Sequence, residues 1–496
     1  MSLTMQSQWI DRRSSAVLLH ITSLPSPFHK GVLGQEALTF IDSISAGGFR
    51  VWQFLPLGPT HGHGSPYESL STFAGNPELI DLRPCLAAGW LPQGIMLKNV
   101  SAEQHAAYRQ QAAQSFWQEV LNNTGLAEQV AAFQTQQAYW LDDFALFSAL
   151  KSATNSAAWW QWADDLRNRD EQALKVARNE HQTRIQQVTF EQFIFAEQWQ
   201  AIKVYAESKG VQLFGDLPIY VAHDSADVWA NPQFFTLNEQ GECTEVAGVP
   251  PDYFSETGQR WGNPLYQWDV LQQDGFKWWV RRVSRQLEWM HMLRIDHFRA
   301  LEACWVIPAD SDTGLIGKWR TVPGDALLQT LQNELGKLPL VAEDLGIITD
   351  EVTTLRKKFG LPGMKILQFA FGGDSDNPYL PENHEEDSVV YTGTHDNDTT
   401  MGWFEHSEPH VQQHALDVLH ATAEDMPWAL IEAALASPAL LSVIPMQDLL
   451  ELGTEAKLNT PGTLEGNWSW RLKNIPDMKH ACWQKSLRLN QTYDRC

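Results

Sequence analysis

The feature that most limits how this chain can fold is a series of eight short apolar runs, each ending in polar or charged residues. They lie at residues 16–21, 49–55, 211–215, 292–295, 338–342, 364–371, 388–392 and 439–444. Continuous apolar runs of this length are typical of strands buried on both faces, as in a parallel sheet. One run alone cannot be told from a segment of buried helix, so the prediction depends on there being eight.

Helical patterns lie between several of the runs, with apolar residues spaced three and four apart and glycines near their ends. The predicted helices cover residues 36–46, 275–290, 325–335, 350–358 and 424–436. Eight buried strands that alternate with helices predict an α/β fold, the (β/α)₈ TIM barrel.

Two connections are too long for an ordinary crossover, which needs a dozen or more residues. We predict one catalytic barrel over residues 1–496, with a mainly helical insertion at 60–210 after strand 2 and a loop-rich insertion at 222–275 after strand 3. The first should contain long helices near 102–121, 126–150 and 157–209. Both insertions should leave the barrel at its C-terminal rim, where the active sites of this fold lie.

Composition excludes several classes of function. A formal net charge of −24 argues against nucleic acid as a partner, because such a surface repels phosphate. The five cysteines are scattered, which argues against a disulfide framework or a zinc site and favours a reducing cytoplasmic location. No apolar stretch has the roughly 20 residues of a membrane span, and the N-terminus lacks the apolar core of a signal peptide.

Acidic side chains follow four of the predicted strands directly. Asp216, Asp296, Glu343 and Asp396 come after strands 3, 4, 5 and 7, so they should meet at one rim of the barrel. Stability alone would not select this cluster, because like charges disfavour each other's ionisation. Arg294 lies two residues before Asp296, so both side chains point to the same side of the strand and can form an ion pair.

Retaining glycoside cleavage needs two carboxyl groups about 5–5.5 Å apart, one as nucleophile and one as acid and base. Asp296 and Glu343 follow adjacent strands, which run ~4.8 Å apart in a sheet. Asp344 is a second candidate for the acid, and alternation along the strand turns Glu343 and Asp344 to opposite sides. The 22 tryptophans mildly favour a carbohydrate ligand, since flat aromatic rings stack on sugar faces. We interpret two Asp-Ser-Asp segments, at 310–312 and 374–376, as solvated turns and not as calcium sites.

The motifs resemble those of the amylomaltase family, glycoside hydrolase family 77 of the α-amylase clan. They are Gly64-Ser-Pro-Tyr67, Phe214-Gly-Asp216-Leu-Pro-Ile-Tyr220, Gly248-Val-Pro-Pro-Asp252-Tyr-Phe, Arg260-Trp-Gly-Asn263-Pro-Leu-Tyr266, Arg294-Ile-Asp296-His-Phe-Arg299, Ala342-Glu343-Asp344-Leu-Gly346, Gly393-Thr-His395-Asp396-Asn397 and Pro461-Gly-Thr-Leu-Glu-Gly-Asn467-Trp468. The similarity spans nearly the whole chain in order. The family has no separate C-terminal β-domain, and only about fifty residues follow the eighth run here.

The resemblance implies Asp296 as nucleophile, Glu343 as general acid and base, and Asp396 as stabiliser of the transition state. It implies that the substrate is bound by a set of polar side chains: Ser65, Tyr67, Asp216, Arg294 and His395. It also places three residues on two loops that fold over the donor chain: Trp261, Asn263 and Asn467. No metal and no cofactor is expected.

The implied activity is that of a 4-alpha-glucanotransferase, which moves segments of malto-oligosaccharides and other α-1,4-glucans by a retaining double displacement. We expect the loops at 248–268 and 461–470 to exclude water from the covalent intermediate. One alternative is an α-glucan hydrolase that uses the same residues, which product analysis would distinguish. Another is an inactive glucan-binding protein, against which the intact Asp296, Glu343 and Asp396 argue.

Overall fold

Eight parallel strands form the centre of the computed structural model, which describes residues 12–251, 255–463 and 465–496. The strands along the chain are β1 (Ser14–Leu18), β2 (Val51–Gln53), β3 (Gln212–Pro218), β4 (Glu245–Val249), β5 (Gln259–Pro264), β6 (Met292–Asp296), β7 (Ala303–Pro308), β8 (Lys318–Thr321), β9 (Leu340–Ala342), β10 (Gly363–Ile366), β11 (Ser388–Tyr391) and β12 (Leu441–Pro445). The central sheet has the order β10-β11-β12-β1-β2-β3-β6-β9. Its two edges approach each other, because the amide of Ala342 donates to the carbonyl of Pro362 at 2.9 Å.

The predicted TIM barrel is therefore confirmed, and each of the eight apolar runs supplies one strand of it. Helices surround the sheet. They are α1 (Gln35–Ala46), α2 (Arg83–Ala87), α3 (Ala102–Asn122), α4 (Thr124–Ala153), α5 (Asp164–Arg167), α6 (Glu171–Glu180), α7 (Gln182–Ser208), α8 (Ala226–Ala230), α9 (Trp268–Gln273), α10 (Lys277–Trp289), α11 (Gly324–Leu335), α12 (Asp350–Lys358), α13 (Thr400–His406), α14 (Pro409–Leu419), α15 (Trp428–Ala436), α16 (Met446–Leu449) and α17 (Ala481–Thr492).

Alternation along the strands separates two cores. Residues such as Val17, Trp52 and Leu293 point outward and pack under the helices. Phe214 and Met292 point inward and belong to the apolar barrel interior. Side chains two and four positions further along β3 and β6 share the inward direction, so these strands deliver polar groups to the C-terminal end of the barrel.

The segment between β2 and β3 contains α2 to α7. The prediction of one long helix over 157–209 was wrong, because three helices of four, ten and 27 residues lie there. Asp170 starts α6 anew by accepting a hydrogen bond from the amide of Ala173 at 3.0 Å, as N-cap residues do. Arg169 before it has a positive φ of 58°, which no helix continues through.

The segment after β3 was predicted to be rich in loops, and the prediction missed a second sheet. β4 pairs antiparallel with both β5 and β7, and β7 pairs with β8, which gives the order β5-β4-β7-β8. β4 and β5 approach each other closely at Gly248, where a Cβ atom would lie 2.1 Å from the carbonyl oxygen of Gln259. Glycine is needed at this position for the two backbones to approach so closely.

Some motif positions lie outside the described residues: Asp252, Tyr253, Phe254 and Leu464, together with residues 1–11. In the part of the chain that is described, no helix is long and apolar enough to cross a bilayer.

Candidate active site

A buried guanidinium joins two carboxylates at the C-terminal ends of β3 and β6. The strand register places Asp216 directly beside Arg294. Nη1 of Arg294 donates to both oxygens of Asp216 at 2.9 and 2.7 Å, and its Nη2 lies 2.7 Å from Oδ1 of Asp296. Burial lowers the pKa of Arg294, but Asp216 and Asp296 more than compensate and hold it well above its usual value. Asp296 is thereby fixed in orientation.

Tyr67 extends this network to the seventh barrel strand. Its hydroxyl donates to Oδ2 of Asp216 at 2.8 Å and lies 2.9 Å from Nε2 of His395. The two rings stack with centroids 5.2 Å apart. Burial raises the pKa of Tyr67, so its hydroxyl stays protonated at neutral pH. Ser65 supports the turn, because its Oγ accepts from the amide of Tyr67 at 3.3 Å.

Glu343 follows β9, the strand that pairs with β6, and it faces Asp296 at the end of β6. Its Oε2 accepts from the amide of His297 at 2.6 Å, and its Oε1 accepts from the amide of Leu345 at 3.1 Å. His297 has a φ of 56°, a left-handed conformation that is rare outside glycine and that aims this amide at Glu343. Burial raises the pKa of Glu343 to about 7, opposed by Arg294 and assisted by the charge of Asp296.

Asp344 turns away from this site. Its Oδ1 accepts from the amide of Met364 at 2.7 Å, and its Oδ2 lies 3.2 Å from Nε of Arg356. Of the two acids that remained as candidates from the spacing of residues, the structure therefore places Glu343 beside Asp296.

The third acid, Asp396, lies after β11. Its Oδ2 is 3.3 Å from Nε2 of His395, and its Oδ1 accepts from Nδ2 of Asn459 at 2.6 Å. The segment that carries both residues is fastened by Asp448, which is buried and follows β12. Asp448 accepts from the hydroxyl of Thr392 at 2.6 Å and from the amide and hydroxyl of Thr400, each at 2.7 Å.

The residues expected on the two covering loops lie in different environments. The rings of Trp261 and His297 form a T-shaped contact with centroids 4.8 Å apart, so Trp261 lies next to the residue that follows Asp296. The amide of Asn263 donates to the carbonyl of Val221 at 2.9 Å and fastens β5 to the loop after β3. Oδ1 of Asn467 accepts from the amide of Thr460 at 2.9 Å, a hydrogen bond between two residues of the same loop.

Sequence reasoning did not single out Asn459, Asp448 or Trp468 as members of the site. Asp448 carried a signal, since it lies four residues after the end of the last apolar run. Trp468 belongs to a quoted motif, and its ring lies 6.1 Å from those of Tyr67 and His395. Asn459 carried no signal, because nothing in its neighbourhood along the chain points to Asp396.

The geometry gathers a fixed carboxylate, a carboxyl whose pKa is raised and a third acid at one end of the barrel. These are the groups required for a retaining displacement at an anomeric carbon. Within the described residues, no group of three or more His, Cys, Asp or Glu side chains is arranged to hold a metal ion. The three acids can act on a sugar through the protein's own side chains.

Comparison with known proteins gives consistent results. A family profile described as 4-alpha-glucanotransferase matches residues 19–477. The chain is 48% identical over 475 residues to a 4-alpha-glucanotransferase of Thermus thermophilus, covering 93% of this chain and 95% of the relative. It is 46% identical to one from Synechocystis, covering 93% and 94%. Amylomaltase from Streptococcus agalactiae, solved in complex with acarbose, superposes with a TM-score of 0.92 at 33% identity, covering 98% of this chain and 100% of that one.

Proposed function

The chain belongs to the 4-alpha-glucanotransferase family, glycoside hydrolase family 77, and from this premise we propose how its residues carry out the reaction. The enzyme transfers α-1,4-glucan segments from a donor malto-oligosaccharide to the 4-OH of glucose or another glucan. The observation that carries the assignment of roles is the pairing of Asp296, fixed by Arg294, with Glu343, whose pKa lies near 7.

In the first step, an oxygen of Asp296 attacks C1 of a glucose unit and forms a covalent ester. The bond between C1 and the glycosidic oxygen breaks, and Glu343 gives its proton to the departing oxygen. A carboxyl group with a pKa of about 7 is half protonated at neutral pH, which suits this acid role.

In the second step, Glu343 must act as a base. The negative charge of Asp296 raises the pKa of Glu343. Because that charge disappears when Asp296 forms the ester, the pKa of Glu343 falls and the group becomes a carboxylate. It then takes the proton of the acceptor 4-OH while the acceptor oxygen attacks C1 and releases Asp296. Two inversions give net retention.

The surrounding residues hold the sugar. Asp396 and His395 stabilise the positive charge that develops on the ring, directly and through the sugar hydroxyls. Tyr67 and Asp216 present a rigid polar wall beside them. Ser65 positions Tyr67, whereas Asn263 and Asn467 hold the loops that carry Trp261 and Trp468.

The glucan chain lies along a cleft that extends from this centre. The pocket that we assign to it is lined by His20, His63, Asn467, Trp468 and Arg471, and it adjoins the centre at Trp468, whose ring lies 6.1 Å from those of Tyr67 and His395. Polar donors beside an aromatic ring suit sugars, which present hydroxyls at their edges and apolar faces above and below. The acarbose complex of the Streptococcus agalactiae relative supports an oligosaccharide as ligand. We place the enzyme in the cytoplasm on the basis of its five free cysteines.

The test is incubation of the purified protein with maltotriose, followed by analysis of glucose and the oligosaccharide ladder. We expect glucose together with products longer than maltotriose, and we expect Asp296→Ala to abolish both. Only shorter products would show a hydrolase. If neither appeared with the wild-type protein, the substrate assignment would be wrong.

A further inference from the structure

One loop, residues 458–468, reaches the catalytic centre at two separate points. It starts at Leu458, which is 7% exposed and packs in the apolar interior of the barrel. It ends at Trp468, whose amide donates to the carbonyl of Leu458 at 2.8 Å. The loop thus leaves from and returns to an anchor inside the barrel.

The neck of this loop is closed by hydrogen bonds of its own. Asn467 accepts from the amide of Thr460 at 2.9 Å, and its Nδ2 donates to the carbonyl of Thr463 at 2.9 Å. The hydroxyl of Thr463 donates to the carbonyl of Thr460 at 2.8 Å. These bonds hold the described part of the loop, residues 458–463 and 465–468, through contacts that do not involve the catalytic residues.

Asn459 is the residue of the loop that points at an acid. Its Nδ2 donates to Oδ1 of Asp396 at 2.6 Å, and the other oxygen, Oδ2, lies 3.3 Å from Nε2 of His395. Oδ1 therefore accepts a hydrogen bond from a distant part of the chain, and Oδ2 lies beside the ring of the neighbouring residue His395. The carboxylate plane is fixed, although the side chain of Asp396 is 42% exposed.

We propose that Asn459 is a positioning residue that orients Asp396 toward the sugar and makes that orientation depend on the seated 458–468 loop. The proposal rests on the function given above. Each carboxylate oxygen retains a lone pair after these contacts, so a carboxylate held in one plane can accept from two neighbouring hydroxyls of one glucose unit. Without Asn459, rotation of the exposed carboxylate would weaken an interaction that the enzyme needs in the transition state.

The first measurement compares Asn459→Ala with wild type in steady-state transfer. Loss of one hydrogen bond to a charged group should lower kcat about 10- to 100-fold, while KM for the donor stays within about twofold. A residue that only supports binding would raise KM and leave kcat unchanged, and that result would overturn the proposal. Asn459→Asp keeps the size of the side chain but places a second carboxylate beside Asp396, so it should lose more activity than Asn459→Ala.

A double-mutant cycle tests whether Asn459 acts through Asp396. The assay uses α-glucosyl fluoride, whose good leaving group keeps the slow Asp396→Ala variant measurable. We expect Asn459→Ala to cause no further loss when Asp396 is already alanine, because the residue that it orients is gone. Losses that multiply in the double variant would show that Asn459 acts independently, contrary to the proposal.

Thr463→Val is the matched control for loosening of the loop. It removes two hydrogen bonds at the neck without touching Asp396, so kcat should stay within about twofold of wild type. If it lowered kcat as much as Asn459→Ala, loop stability would explain both effects and the proposal would fail. Elongation of maltotriose by the wild-type protein in the same experiment separates failure of this inference from failure of the proposed function, and thermal midpoints verify that each variant is folded.

Discussion

At the scale of single residues, the site depends on how buried charges share their partners. Arg294 is 6% exposed and Asp216 is 2% exposed, so burying either charge without the other would be costly. Burial raises the pKa of Asp216, and the adjacent Arg294 opposes this shift. Arg294 also contacts Asp296, the proposed nucleophile, and stabilises it. Part of the positive charge of Arg294 is already balanced by Asp216.

The raised pKa of Glu343 predicts how the reaction responds to pH. The first step needs its protonated form, so kcat/KM for maltotriose should fall as the pH rises through about 7. Initial rates between about pH 5 and pH 9 measure this. The control is α-glucosyl fluoride, for which the departing group needs no proton and the decline should be absent. A decline already complete near the ordinary pKa of 4.5 would contradict the assignment.

At the scale of elements, the barrel strands supply the acids and the long connections cover them. β5 carries Trp261, which packs against His297 next to the nucleophile. The 458–468 loop carries Trp468 and Asn459 on the other side. The two segments that cover the site lie about 200 residues apart in the chain. Each is held by hydrogen bonds of backbone or side-chain amides outside the reacting centre.

Shortening the 461–466 part of the loop to two glycines should change the fate of the covalent intermediate. With less cover, water would compete better with the acceptor 4-OH, so the ratio of transfer to hydrolysis should fall several-fold. Quantifying glucose against elongated products from maltotriose gives this ratio. Insertion of two glycines after Gly360, which precedes β10 at the opposite rim, is the control and should leave the ratio unchanged. An unchanged ratio in the shortened variant would show that this loop does not exclude water.

At the scale of the whole molecule, Arg495 joins segments at the start of β1 and before β12, at the end of the barrel opposite the acids. Arg495 is fully buried and donates to the carbonyls of Leu435, Ser14, Ser437 and Ala439 at 2.5 to 3.1 Å. Burial, assisted by Arg13, lowers its pKa to about 9, so it remains charged at neutral pH. It ties the chain before β12 to the start of β1, on the face opposite the acids.

Arg495→Met should therefore affect stability and not catalysis. Removing the cation leaves four buried carbonyls without this donor, and we expect unfolding to become easier by at least about 2 kcal/mol. The transfer rate per folded molecule should not change, because the substitution lies at the opposite end of the strands. Thermal midpoints and kcat on the same preparations test both parts. A parallel fall in kcat, or an unchanged midpoint, would be inconsistent with this role.

The amino-acid sequence by itself determined the barrel and the acids at its rim, because local patterns of residues predict both. An apolar run predicts a buried strand, and the residue that follows it lies at the strand end whatever the rest of the chain does. The helices ended close to their predicted bounds where a glycine or an Asp marked the end, as in α11 and α12. The prediction of one helix over 157–209 was wrong because the apolar spacing continues through Asp170, whereas in the structure Asp170 is the N-cap of a new helix, α6.

Only the tertiary structure decided which groups meet. β4 and β5 belong to a four-stranded sheet because β4 pairs with β7, some fifty residues further on, and β7 pairs in turn with β8. Glu343 rather than Asp344 faces Asp296 because the register of β6 and β9 pairs Ile295 with Ala342, so the residues that follow, Asp296 and Glu343, lie side by side. Asn459 lies beside Asp396, from which it is separated by 63 residues. Such contacts depend on the packing of distant elements, and the free energy that selects them is shared over the whole fold, so no pattern near either residue specifies them.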